Sequence, residues 1–163
     1  SQGRPTAPWP VCRPVHGVNL EGRGGRTMSI RFDGQQGLIV VRTQISGPTG
    51  IAIVRLALDT GATRTLINAG LLVAVGYDPA ATLERTEVTT GSGVEFAALV
   101  AITKIVAIGQ ERTDFPVLAH TLPPSAGVDG VLGLDYLRGQ VLRIDFRNGR
   151  LALGEPTDER GPE

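Results

Sequence analysis

Apolar side chains recur at alternate positions, in short runs, over most of the chain between Met28 and Gly154. A period of two marks strands that bury one face. Residues 28–32 form one such run, closed by Asp33-Gly34. Residues 38–45 and 51–58 are rich in Ile, Val and Leu and flank Gly47-Pro48-Thr49-Gly50, which predicts a hairpin. Thr65-Leu66-Ile67 reads as a short strand, and Asn68 as the cap of a brief helix over 69–75 stopped by Gly76. Residues 82–90, 94–102 and 113–119 read as further strands, with Gly91-Ser92-Gly93 as a tip and Gly109-Gln110 as a turn. Residues 134–137 fit one helical turn. Residues 141–146 and 151–153 close the pattern as a hairpin around Asn148-Gly149. Many short strands with little helix predict an all-β barrel or sandwich.

The ends differ from this pattern. Residues 1–27 carry Pro5, Pro8, Pro10 and Pro14, then Gly22, Gly24 and Gly25, with no apolar period, and are expected to form a flexible leader. Residues 155–163 are polar and are expected to fray, leaving 28–154 as one domain. With 41% hydrophobic and 20% charged residues, the composition supports a buried core. Sixteen basic residues balance sixteen acidic ones, which argues against a broad nucleic-acid footprint. Cys12 is the single cysteine, so neither an internal disulfide nor a cysteine-based metal site can form within one chain. His16 and His120 have no metal-ligand spacing with Cys12 or each other, and no metal or other cofactor is expected. No apolar run reaches the length of a membrane-spanning helix. The compartment stays open between cytoplasmic and periplasmic or secreted.

Two segments carry candidate chemistry. In the first, the apolar run Ile53-Val54-Arg55-Leu56-Ala57-Leu58 delivers Asp59 at its end, followed at once by Thr60-Gly61-Ala62-Thr63. Glycine permits a sharp turn and a close main-chain approach, while Thr hydrogen-bonds locally. Taken alone, this reads equally well as an Asp that ends a strand and opens a turn. In the second, Val131-Leu132 runs into Gly133 and a short helical stretch, Leu134-Asp135-Tyr136-Leu137.

Together and in this order, Asp59-Thr60-Gly61-Ala62 and Val131-Leu132-Gly133 resemble the retropepsin-like aspartic proteases, the single-lobe members of the pepsin and retropepsin group. The resemblance covers roughly residues 38–154. It implies a closed β-barrel with one or two short helices and an aspartic-type endopeptidase activity on peptide or protein substrates. It also implies that Asp59, Thr60 and Gly61 form the catalytic loop, with Leu132 and Gly133 packed beneath it. Water activation then needs two carboxylates sharing a proton. The chain has one Asp-Thr-Gly, so the second must come from another copy in a homodimer. In that family a glycine-rich hairpin covers the cleft, and Thr90, Gly91, Ser92 and Gly93 occupy its expected place. Ala62, Thr63 and Arg64 are expected to line the cleft beside the substrate.

Three departures matter. Retroviral members carry acidic residues at the positions of Thr63 and Arg64, and Arg64 reads either as a contact favouring an acidic side chain or as a plain surface residue. Ala62 brings no hydroxyl next to the carboxylate, where pepsin-like members commonly place Ser or Thr, so activity is expected from mildly acidic toward neutral pH. Asp135 is expected to cap a helical turn or lie on the surface, with a bond to the N-terminal Arg residues as the alternative, and Asp129 and Asp145 are expected to be exposed. Two rival readings remain: a protease-like domain that only binds or dimerises, and a fragment of an actin-like or sugar-kinase-like phosphotransferase, which also uses an Asp-x-Gly strand end.

Overall fold

The computed structural model describes residues 28–90 and 93–154, so the calls on the leader and the tail lie outside the described residues. Among the described residues, ten strands, two short α-helices and one 3-10 turn (Pro124–Ala126) follow one another. The strands are β1 (Ser29–Arg31), β2 (Val40–Gly47), β3 (Gly50–Leu58), β4 (Leu66–Asn68), β5 (Arg85–Thr90), β6 (Gly93–Ala107), β7 (Gln110–His120), β8 (Gly130–Leu132), β9 (Val141–Asp145) and β10 (Arg150–Gly154). The helices are α1 (Ala69–Ala74) and α2 (Leu134–Leu137).

Six strands close on themselves in the order β2-β3-β8-β4-β7-β6, because β6 pairs back onto β2 through Gln44↔Val106, Ile45↔Ile105 and Ser46↔Lys104. Closure pairs each of these six strands on both sides and encloses their apolar face, leaving β5 as the outer strand of the sheet. Val41, Ile45, Val54, Leu56, Ile102, Ile105, Val117 and Leu132 fill the interior, all of them wholly buried. Apolar alternation along β2 and β3 therefore has a direct physical target. A separate three-stranded sheet, β1-β10-β9, carries the two ends of the domain.

Most of the expected elements are present with shifted ends. Asn68 caps α1 by accepting a bond from the Gly70 N–H at 3.0 Å. β6 is longer than expected, since its second half continues past Ile102 to close the barrel against β2. The turn after it falls on Ile108-Gly109, one residue earlier than the glycine signal alone places it. Ile108 takes a positive φ of 52°, unusual for a β-branched residue, and its side chain is buried in the core. Core packing overrides turn preference there.

Tyr136 anchors α2 to that turn. Its hydroxyl accepts from the Ala107 N–H at 3.0 Å and lies within donating distance of the Ala107 and Gln110 carbonyls. Phe115 packs edge-on against its ring at 5.6 Å, and Arg112 lies 5.3 Å from the ring centroid. Burial pushes the phenol pKa up, opposed by the Ala107 hydrogen bond and the Arg112 charge.

Candidate active site

β3 ends at Leu58, and the chain turns through residues 59–65 before returning as β4. β8 occupies the gap between these two arms. It runs parallel to β3, with Leu58 opposite Leu132, and antiparallel to β4, with Leu66 opposite Val131. The two sequence motifs, far apart along the chain, are thus side by side in one sheet.

Main-chain contacts then fix the loop. The Asp59 N–H donates to the Leu132 carbonyl at 3.0 Å, and the Leu134 N–H donates to the Ala62 carbonyl at 2.8 Å. Gly133 fits only because it has no side chain: a Cβ there would lie 2.7 Å from the Arg64 carbonyl carbon and oxygen. Gly130 is similarly constrained, since its Cβ would fall 2.0 Å from the Leu66 carbonyl oxygen. These are close approaches between backbones, which do not yield as flexible side chains do.

Asp59 itself is exposed. Its Oδ1 accepts from the Gly61 N–H at 2.8 Å, which orients the carboxylate at the head of the turn. The Thr60 hydroxyl is also exposed and has no partner among the described residues. Beside the loop lies a cleft of about 550 Å³. Gly61, Ala62, Thr63 and Arg64 form one wall, and Thr86–Thr89 of β5 form the other. Leu66, Leu118 and Val131 supply an apolar floor.

The opposite wall belongs to the hairpin of β5 and β6, whose register runs from Arg85↔Ala98 to Thr90↔Gly93. Its tip residues Gly91 and Ser92, and the Thr90 side chain, lie outside the described residues. Gly93 adopts φ 133°, a value glycine accommodates readily. His120 at the end of β7 comes within 3.3 Å of Glu95, linking the hairpin to the barrel rim when the imidazole is protonated.

Asp135 bonds its own helical turn as expected and adds a further contact, while Asp129 departs from expectation. Asp135 is half-buried and bonds Thr65, as well as the N–H of Tyr136 in its own helical turn. Asp129 is also half-buried: it accepts from the Arg55 N–H at 2.7 Å, joining the start of β8 to β3. Asp145 is exposed as expected, and bonds from Asn148 and Arg147 lower its pKa. The sequence gives no local sign of the Thr65–Asp135 contact, because these residues meet only once β8 is in place. The sequence pattern places only the glycine tip of the hairpin at the cleft, whereas Thr86–Thr89 of the strand also line it. No group of His, Cys, Asp and Glu suited to a metal ion occurs among the described residues.

A closed six-stranded barrel with an Asp-Thr-Gly loop braced by a second strand defines a retropepsin-like aspartic protease. The chain belongs to the family described as gag-polyprotein putative aspartyl protease, whose model matches residues 41–139 and so spans both Asp59 and Gly133. By family and fold it is an aspartic-type endopeptidase. Among solved structures it is similar to a retropepsin-like aspartic protease from Rickettsia conorii, at TM-score 0.61 and 19% sequence identity. That match covers 81% of this chain and 92% of the other, and the likeness is one of fold. None of the curated proteins matches the chain. The barrel rules out the two-domain α/β phosphotransferase reading. Among the described residues, no helix is long and apolar enough to cross a membrane.

Proposed function

We propose that the chain cleaves peptide bonds as a homodimer, with Asp59 of each protomer supplying one of two facing carboxylates. The observation that carries this reading is the exposed Asp59 carboxylate on a braced loop beside an open cleft. One carboxylate of the pair takes a proton from water, whose oxygen attacks the peptide carbonyl carbon. The other, protonated, gives its proton to the carbonyl oxygen. The tetrahedral gem-diol collapses as the first carboxyl passes the proton it took from water to the amide nitrogen, the second carboxylate takes back a hydroxyl proton and the C–N bond breaks, releasing an acid and an amine. Two carboxylates held close together favour a state with one shared proton, which is the state this chemistry needs.

Thr60 fits the same picture. Its hydroxyl, unpartnered among the described residues, is available to bond the opposite loop and hold the two carboxylates in register. Ala62, Thr63, Arg64 and the hairpin tip at Thr90, Gly91, Ser92 and Gly93 would flank the bound peptide. Leu132 and Gly133 would keep the loop rigid from below.

Subunit mixing tests this directly. Wild type mixed with an excess of Asp59→Asn chains should lose activity as the square of the wild-type fraction, while sedimentation still shows dimers. A linear fall would rule out a site shared between copies. Wild type that cleaves nothing in a broad peptide pool would favour the reading of a binding or dimerisation domain.

A further inference from the structure

We propose that His120 and Glu95 are a positioning pair for the β5–β6 hairpin: their ion pair draws the hairpin down over the cleft and ties its closure on a peptide to pH. The proposal rests on the peptidase reading and concerns how that same cleft is covered. Paired residues, and every second residue along a strand, share one face of a sheet. Val88 opposes Glu95, and Leu118, two residues before His120, opposes Leu99. Leu118 also pairs with Leu66, which pairs with Val131. Glu95 and His120 therefore lie on the face that carries the cleft floor, with the His120 Nε2 3.3 Å from a Glu95 carboxylate oxygen.

The hairpin needs such a tie. β6 pairs with β7 from Ala98 onward, so residues 93–97 are paired with β5 and the ribbon leaves the barrel as two strands. Two-stranded ribbons are marginal by themselves. Among the described residues, the His120–Glu95 contact is the ion pair that joins this ribbon to the barrel.

Among the described residues, Glu95 is also the charged group that faces the imidazole. β4 presents Asn68, whose side chain caps α1, and α1 has no ionisable residue. Lys104 of β6 pairs with Glu111, which lies with Arg112 and Asp114 at the far end of β7. Arg85 and Glu87 of β5 oppose Ala98 and Phe96, on the reverse face. Arg64 precedes Leu66 and so lies away from the His120 end of β7. The Asp129 carboxylate is taken by the Arg55 N–H. A protonated imidazole gives Glu95 a charge-assisted bond, and a neutral one gives at most an ordinary hydrogen bond. The closed hairpin is thus favoured at acidic pH and loosens as imidazoles lose their proton, between about pH 5 and 8.

Cleavage of an uncharged peptide by the full dimer at pH 5.5 and pH 8 tests this. Glu95→Gln, which keeps the size of the side chain, should raise KM roughly two- to fivefold at pH 5.5 and converge with wild type at pH 8, the change falling on KM rather than kcat. His120→Gln should do the same. His120→Lys, charged at both pH values, should hold the low KM up to pH 8. A ratio of variant to wild-type KM that is the same at both pH values overturns the proposal, since a side chain that only packs is felt equally at each. So does a His120→Lys profile that follows wild type. Binding of the same peptide to Asp59→Asn protein, with and without Glu95→Gln, reads the pairing without cleavage. Binding that weakens with pH only while Glu95 is present, in a wild type that cuts nothing, would refute the peptidase reading and leave the pairing standing.

Discussion

Asp135 accepts the Thr65 backbone N–H at 2.9 Å and the Thr65 hydroxyl at 2.8 Å, and that hydroxyl in turn accepts the Gly133 N–H at 3.1 Å. One carboxylate thereby ties the return arm of the Asp59 loop to the strand beneath it. Thr65 is wholly buried, so water cannot take over these bonds. Asp135→Ala should cost about 2–4 kcal/mol, since a buried N–H and a hydroxyl both lose a charged partner. Asp135→Asn, which keeps one acceptor, should cost less. Urea denaturation checks both, and an unchanged midpoint for the alanine variant would refute the role.

Gly133→Ala should be harmful for a different reason. The new methyl would meet the Ala62 carbonyl oxygen at 2.8 Å and the Arg64 carbonyl group at 2.7 Å. Backbone must shift, at a cost on the order of 1–3 kcal/mol. Because the displaced segment follows Asp59, cleavage should fall further than stability alone accounts for. Activity per folded molecule, compared with thermal melting, separates the two effects.

Ala62 presents a methyl group one residue past Gly61. Ala62→Ser would add a hydroxyl able to bond a carboxylate in its charged form. The pH–rate profile of the variant should move toward lower pH, while wild type stays active from mildly acidic toward neutral pH. Coincident profiles would show that residue 62 does not tune the site.

Tyr136 gives a pH effect on stability rather than on rate. Its folded pKa is raised by burial above the ordinary value of 10.0. The unfolded chain therefore releases this proton first as pH rises. The contribution is fully present below about pH 10 and is lost between there and the raised folded value. Tyr136→Phe should lower stability by about 1–2 kcal/mol at neutral pH through the unmet Ala107 N–H. It should also flatten the alkaline decline. Denaturation midpoints at pH 8 and pH 10.5 measure both.

The elements were legible where local chemistry and packing agree. The β2–β3 hairpin alternates cleanly around Pro48-Thr49, and Asn68 caps α1 where a polar residue precedes an apolar stretch. Asp59 and Gly133 were readable as a pair because both sit at ends of apolar runs. What the sequence hid is what depends on contacts across the barrel. The extension of β6 to Ala107 is decided by β2, and the left-handed Ile108 by the core. Asp135 resembled a helix cap and proved also to brace the loop. Thr86–Thr89 reach the cleft only because β5 pairs with β6, which no local pattern announces.

The position of β8 between β3 and β4 also orders events during folding. Strands β2 and β3 can zip together through a two-residue turn as soon as both exist. The groove that receives β8, however, stays empty until Leu132 is available, and its contacts join segments widely separated in sequence. Such distant pairings carry a large loop-closure entropy and form late. A chain still being synthesised holds its Asp-Thr-Gly turn unbraced until then. Proteolytic competence is thus expected to be among the last properties the domain acquires, which keeps unfinished chains from cutting their neighbours.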